Sequence, residues 1–280
     1  MTACAQVPVP PTHATDNFLS INGTRLRYRD EGRGPVVLLV HGWTLDLEMW
    51  DPQVSALRAT FRLIRLDRRG HGCSGGTSTP ERDSEDLDRL CNHLGLTRVA
   101  LIGMSQGVRG VLRFACAAPR RVSAVILDGP PALDSESDPE VPVQQYAALV
   151  HAHGIAAFRR KWAGHRLMQL RTRDPARRAL VAAMIERYAG NDLQSPASGA
   201  ELVGGRVRPE AVAAPTLVLS GELDLPGRRL AARRLAARLS DAELAIIPGA
   251  AHLPNLDSPD VYSKLCRAFL LRHCGSRGPS

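Results

Sequence analysis

The chain has 280 residues, 44% hydrophobic and 23% charged, which suits a globular protein with one large core or a core carrying an insertion. No apolar run approaches the roughly 20 residues that cross a bilayer, and the six cysteines show no CxxC or other metal-ligand spacing. The net charge of +8 is almost all arginine, spread along the chain beside only 4% aromatics, which argues against a nucleic-acid surface.

Met1 to Asp16 is rich in Pro and Thr and lacks a basic region followed by an apolar core, so a loose leader is expected and not a signal peptide. A cytoplasmic enzyme follows as the default, and with it free cysteines, Cys91 and Cys116 being small apolar-face residues. Phe18–Ile21 and Thr24–Asp30 flank Asn22-Gly23, a hairpin signal. Pro35–Val40 is continuously apolar, as a strand buried on both faces requires. A helix over Met49–Ala59, a strand over Arg62–Leu66 and a helix over Glu85–Leu94 follow, the last with Leu87, Leu90, Cys91 and Leu94 on one face. Next come a strand at Val99–Ile102, a helix at Gln106–Ala117 and a strand at Val122–Leu127. The alternation resumes with strands at Thr216–Leu219 and Glu243–Ile247 and helices at Gly227–Leu239 and Pro259–Leu271.

Such β–α alternation predicts an α/β fold, a mostly parallel sheet with helices on both faces. It breaks between about Pro131 and Val212, where helices around Pro142–His153, Ile155–Trp162 and Pro175–Ala189 stand without a strand. The expected organisation is therefore a leader over 1–16, a core domain from 17–131 and 212–272, and an all-helical cap over 132–211.

Loops at the strand ends carry the chemistry. Gly103-Met104-Ser105-Gln106-Gly107 is a G-x-S-x-G pentapeptide between strand and helix, the pattern that exposes a serine on a strained elbow. His41-Gly42-Trp43 follows a strand directly; it is either a plain turn or a place where Gly42 lets backbone approach a ligand and the Trp43 N–H face the site. Asp67-Arg68-Arg69-Gly70-His71-Gly72-Cys73-Ser74-Gly75, taken alone, reads as a flexible glycine-rich loop. Ser220-Gly221-Glu222-Leu223-Asp224 puts a carboxylate after one strand, and Gly249-Ala250-Ala251-His252 a histidine after the next. The chain order Ser…Asp…His, each after a strand, is the order of a nucleophile-elbow enzyme.

From about residue 18 to 271 the chain resembles the α/β-hydrolase fold family through HGW (41–43), DRRGHG (67–72), GMSQG (103–107), GELD (221–224) and GAAH (249–252). The resemblance implies Ser105 as nucleophile, His252 as general base and then acid, and Asp224 as the residue that orients His252. It also implies an oxyanion hole from the Trp43 and Gln106 backbone N–H groups. Val108 departs from the glycine many relatives carry after the elbow, and Asp128, at another strand end, is an alternative acid.

A serine nucleophile implies an acyl-enzyme, hence hydrolysis of a small-molecule ester or lactone, and excludes relatives that need an aspartate at the elbow. Carbon–carbon bond hydrolysis and cofactor-free perhydrolysis use a similar triad and stay open, as does a non-catalytic ligand receptor on the same fold. Between Arg159 and Arg187 nine basic residues face two acids, either a solvated face or an arginine clamp for a substrate carboxylate. The Arg159-Arg160-Lys161-Trp162 stretch resembles that of the enol-lactonases, which handle a carboxylated lactone; His41, Gly42, Arg159, Arg160 and Trp162 are the candidate substrate-binding residues. No metal or nucleotide cofactor is implied, since the loop 67–75 lacks the lysine and spacing of a P-loop and no GxGxxG fingerprint opens a helix. The expected partner is the substrate alone, with no nucleic acid and no membrane, and the oligomeric state is unreadable.

Overall fold

A computed structural model describes residues 15–21, 23–133, 140–194 and 207–274. Eight strands form one sheet: β1 (Asn17–Ile21), β2 (Thr24–Glu31), β3 (Val36–Val40), β4 (Arg62–Leu66), β5 (Val99–Met104), β6 (Val122–Asp128), β7 (Thr216–Gly221) and β8 (Ala242–Ile247). They lie in the order β1-β2-β4-β3-β5-β6-β7-β8. The β1–β2 hairpin and the β2–β4 pair are antiparallel, and every pair from β4 to β8 is parallel. Six strand C-termini, those of β3, β4, β5, β6, β7 and β8, therefore open on one edge, where the loops singled out in the sequence begin.

The apolar alternation within the strands assigns the two faces. Val37, Leu39, Ala100, Ile102, Ala124 and Ile126 point to one side, where they meet α1 (Asp51–Leu57) and the C-terminal helix α9 (Pro259–Cys274). Leu38, Val40, Leu101, Val125 and Leu127 point to the other, against α2 (Pro80–His93), α3 (Gly107–Ala117) and α7 (Pro226–Arg238). Burying each Leu or Ile of this set contributes about 1.5–3 kcal/mol, so the double layer that positions the site is also what holds the fold together.

Between β6 and β7 the described chain is helical: α4 (Val143–Ala163), α5 (Pro175–Arg187) and α6 (Asn191–Gln194). Gly154, at φ 75° and ψ 169°, breaks α4 into the two helices expected from the sequence; only glycine adopts that conformation freely. These helices share one apolar core with the α1/α9 face, through Tyr146, Phe158, Trp162, Met184 and Tyr188.

Several expectations need correction. The first helix begins with a 3₁₀ turn at Leu47–Trp50 and ends at Leu57, not Ala59. Helix α2 starts a turn earlier than Glu85, because Thr79 caps it by accepting from Arg82 N–H and Pro80 occupies its first turn. A short helix α8 (Pro254–Asp257) was not expected. Cys91 is buried, whereas Cys116 is only half-buried; both are free thiols. Apart from its last two residues, the leader 1–16 lies outside the described residues, as does Asn22 of the hairpin turn. Among the described residues no helix is long and apolar enough to cross a membrane.

Candidate active site

Ser105 follows β5 directly and takes φ 50°, left-handed territory that a non-glycine residue enters only under constraint. Its N–H donates to the Asp128 carbonyl at 2.8 Å, anchoring the turn to the end of β6. The flanking glycines are there for space. A Cβ on Gly103 would meet Val111 Cγ2 at 2.8 Å, and one on Gly107 would meet the His41 carbonyl at 2.6 Å and that of Val40 at 2.8 Å. The elbow thus fits between α3 and the end of β3 only without those side chains.

Around Ser105 the strand-end residues converge. Ser105 Oγ lies 3.1 Å from His252 Nε2, and His252 Nδ1 lies 2.9 Å from Asp224 Oδ2. Asp224 Oδ1 accepts from the Leu225 N–H at 2.7 Å, which fixes the carboxylate plane. A carboxylate at Nδ1 holds the proton there and leaves the Nε2 lone pair facing the serine hydroxyl. Gly129 packs on the imidazole so closely that a Cβ would lie 3.1 Å from Cε1.

Asp128 ends β6 and is fully buried, but it does not reach His252 in this arrangement. Its polar neighbours are the Tyr262 hydroxyl and Asp224. Burial pushes its carboxyl well above the usual range, and the Asp224 charge pushes the same way. With its charged form disfavoured by burial, Asp128 is less suited to balancing an imidazolium than Asp224, which holds His252 Nδ1.

The DRRGHG loop is not flexible; the structure reverses that reading. Asp67, Arg68, Arg69 and His71 are all buried. Asp67 accepts the Leu47 N–H at 2.8 Å and the Cys73 N–H at 2.8 Å and pairs with Arg27, while a Cβ on Gly72 would collide with its carboxylate. Burial still raises the Asp67 carboxyl to about 6, against the pull of Arg27. Arg68 pairs with Asp83 at 2.6 Å and donates to Gln106 Oε1 at 2.9 Å, so the loop holds the elbow from the side.

Of the candidate substrate-binding residues, His41 is committed inside the protein. Its Nε2 accepts from the Arg68 N–H at 2.9 Å, and its Nδ1 then donates to the Gly42 carbonyl at 2.7 Å. Gly42 lies against the elbow: a Cβ there would be 2.7 Å from Met104 Sδ and 3.3 Å from Ser105 Cβ. Trp162 is buried and donates from Nε1 to Thr44 Oγ1 at 2.7 Å. Arg159 donates twice to the Tyr188 carbonyl and once to Glu186, and Arg160 is exposed. Arg159 is thus held by partners within the helical segment itself.

Sequence reading missed three groups. Asp192 accepts from Trp43 Nε1 at 2.7 Å and from the Tyr188 hydroxyl. Thr44 sits at φ 62° beside the HGW motif. Asp257 accepts from the Ala251 N–H at 2.8 Å and from the Arg171 and Thr172 N–H groups, tying the histidine loop to the helical segment. Partners 149 and 86 residues apart leave no local pattern to find.

Sheet order, elbow and motif loops together define an α/β hydrolase. The family model described as alpha/beta hydrolase fold matches residues 35–259, and the chain belongs to that family. It is similar to a thermophilic esterase from Thermogutta terrifontis, with 27% identity, TM-score 0.80, and coverage of 93% of this chain and 100% of that one. It is also similar to the enol-lactonase from Burkholderia xenovorans LB400, at 29% identity and TM-score 0.77, with coverage of 91% and 99%. A curated relative, the pimeloyl-[acyl-carrier protein] methyl ester esterase of Nitrosospira multiformis, is 25% identical over 82% of this chain and 92% of its own. Homologues of this fold include esterases and lactonases.

Proposed function

We propose that the protein hydrolyses a carboxylic ester or lactone of a small molecule through an acyl-enzyme on Ser105. The observation that carries this reading is the unbroken chain from Ser105 Oγ to His252 (3.1 Å) to Asp224 (2.9 Å) at the sheet edge where ligands bind in open α/β folds. In the proposed reaction Ser105 Oγ attacks the acyl carbon while its proton passes to His252 Nε2. Asp224 keeps the imidazole in the required tautomer and balances its charge once it is protonated. The tetrahedral oxyanion is met by the Trp43 and Gln106 backbone N–H groups, and His252 returns the proton to the leaving alcohol oxygen. Water, activated by the same imidazole, then releases the acid.

The elbow geometry supports the oxyanion assignment. Gln106 opens α3, so its N–H lies at the positive end of that helix, and the Gly42 contact brings the Trp43 loop against Ser105. Helices α4–α6 serve in this reading as a cap over the edge. With Arg159 spent on a backbone carbonyl, the reading does not require a substrate carboxylate. The kinship with an esterase and an enol-lactonase supports both bond types, and a substrate panel separates them.

The test is turnover of p-nitrophenyl acetate and of a set of neutral lactones by wild type and S105A. Hydrolysis that disappears in S105A is the expected result. Equal rates in the two proteins would remove Ser105 from the reaction.

A further inference from the structure

Every aromatic contact made by Trp43 is to a side chain of the inserted helical segment. Its indole lies 4.9 Å from the Trp162 ring, 5.4 Å from Phe158, 5.9 Å from Tyr188 and 6.2 Å from Tyr146. Its Nε1 donates to Asp192, whose other oxygen accepts the Tyr188 hydroxyl. The next residue is held from the same segment, because Thr44 Oγ1 accepts from Trp162 Nε1 at 2.7 Å.

Thr44 is also the costly residue of the loop. At φ 62° a β-branched side chain is in left-handed space, a strained conformation that persists only when its surroundings enforce it. The Trp162 bond is to the hydroxyl of that residue. The Asp192 bond is to the indole of Trp43, the residue whose peptide N–H the proposed reaction assigns to the oxyanion hole. Two hydrogen bonds from α4 and α6 thus clamp two successive residues between β3 and the elbow.

We propose that Trp162 and Asp192 are positioning residues, which set the direction of the Trp43 N–H and so couple the inserted helices to the oxyanion hole. The proposal rests on the hydrolase reading above. It gives the helices a role beyond covering the site: when they shift, the hole loses one donor. Loss of one oxyanion donor costs about 10²–10³ in rate, so a donor only misdirected costs about tenfold or more.

The experiment reads the rate at which an alkyl fluorophosphonate labels Ser105. Its phosphoryl oxygen occupies the hole as Ser105 Oγ bonds phosphorus, fluoride leaves and the proton goes to His252. W162F keeps a six-membered aromatic ring and loses the pyrrole ring with its Nε1–H; it slows the maximal labelling rate about tenfold while the half-saturating concentration stays near wild type, and the T44G background separates the lost bond from the lost volume. In T44G the glycine takes positive φ without strain and offers no hydroxyl, so adding W162F to T44G changes nothing further. D192A slows labelling like W162F, and D192N, which can still accept from Trp43 and donate to the Tyr188 oxygen, restores it. Equal slowing by W162F in both backgrounds, or wild-type rates in W162F, overturns the proposal. Should D192A not fold, the W162F and T44G cycle decides alone. A wild-type protein that is not labelled at Ser105 overturns the nucleophile instead, so the two failures are distinct.

Discussion

Arg68 donates to Gln106 Oε1 at 2.9 Å while its guanidinium also grips Asp83 at 2.6 Å, both charged partners being almost wholly buried. The second glycine-rich loop is thereby welded to α2 on one side and to the nucleophile elbow on the other. Removing one partner of such a pair strands a charge in the interior, which costs about 3–5 kcal/mol. R68M is expected to lose stability of that order in urea unfolding, with the Asp83 carboxylate left uncompensated. A loss below about 1 kcal/mol, typical of a surface pair, would mean that the pair is solvated in practice.

The two carboxyl groups at neighbouring strand ends are expected to behave oppositely. Asp224 is bonded to His252, and removing its charge leaves the imidazole free to take the wrong tautomer. By analogy with serine proteases, D224N should lower kcat by about 10³–10⁴. Asp128 is buried with its carboxyl pushed well above the usual range, and the His252 Nδ1 bond is taken by Asp224, so D128N should hold kcat within about fivefold. Parallel kinetics of the two variants on one ester decide it, and a collapse confined to D128N would move the orienting role to β6.

Space, not chemistry, sets the expectation for Gly107. An alanine there drives its Cβ into two backbone carbonyls at the end of β3, neither of which can swing away. Overpacking of this kind costs about 1–3 kcal/mol. It also pushes the elbow off the HGW loop, and a displacement near 1 Å costs about 10²-fold in rate. G107A should therefore be folded with a lowered melting temperature and nearly inactive. Full activity would show that β3 and the elbow are not in the contact described.

How much of this was legible beforehand divides along the range of the interaction. The sheet was, because Val36–Val40 and Val99–Met104 are apolar at every position, as strands covered on both faces must be. Ser105, Asp224 and His252 were, because each sits a few residues beyond a strand, where chain order alone brings parallel strand ends together. Asp67 was misjudged for the opposite reason. Glycines usually mark freedom, yet Gly72 is needed here because a buried carboxylate occupies the place of its side chain. The bonds of Trp162 to the Thr44 hydroxyl and of Arg159 to the Tyr188 carbonyl were not legible, since such distant partners leave no trace in composition.

His41 makes the fold acid-labile. The Arg68 N–H can only donate, so the Nε2 it meets must be unprotonated, and burial together with the neighbouring His71 and Arg68 charges holds His41 well below the usual 6.5. His71, buried beside it, is lowered for the same leading reason. The unfolded chain therefore binds more protons than the folded one as pH falls through 6.5, and stability is lost in that direction. Each such histidine removes up to about 1.4 kcal/mol per pH unit below that point. Asp67, raised to about 6, acts in the opposite sense: its folded form takes up a proton as pH falls through 6, which offsets part of the loss. Comparing variants isolates the histidine. Urea midpoints of wild type and H41Q between pH 7.5 and 5 should converge as the pH drops, because H41Q starts lower but lacks one of the protonating groups. Parallel midpoints across that range would mean that His41 is not held neutral by the Arg68 backbone.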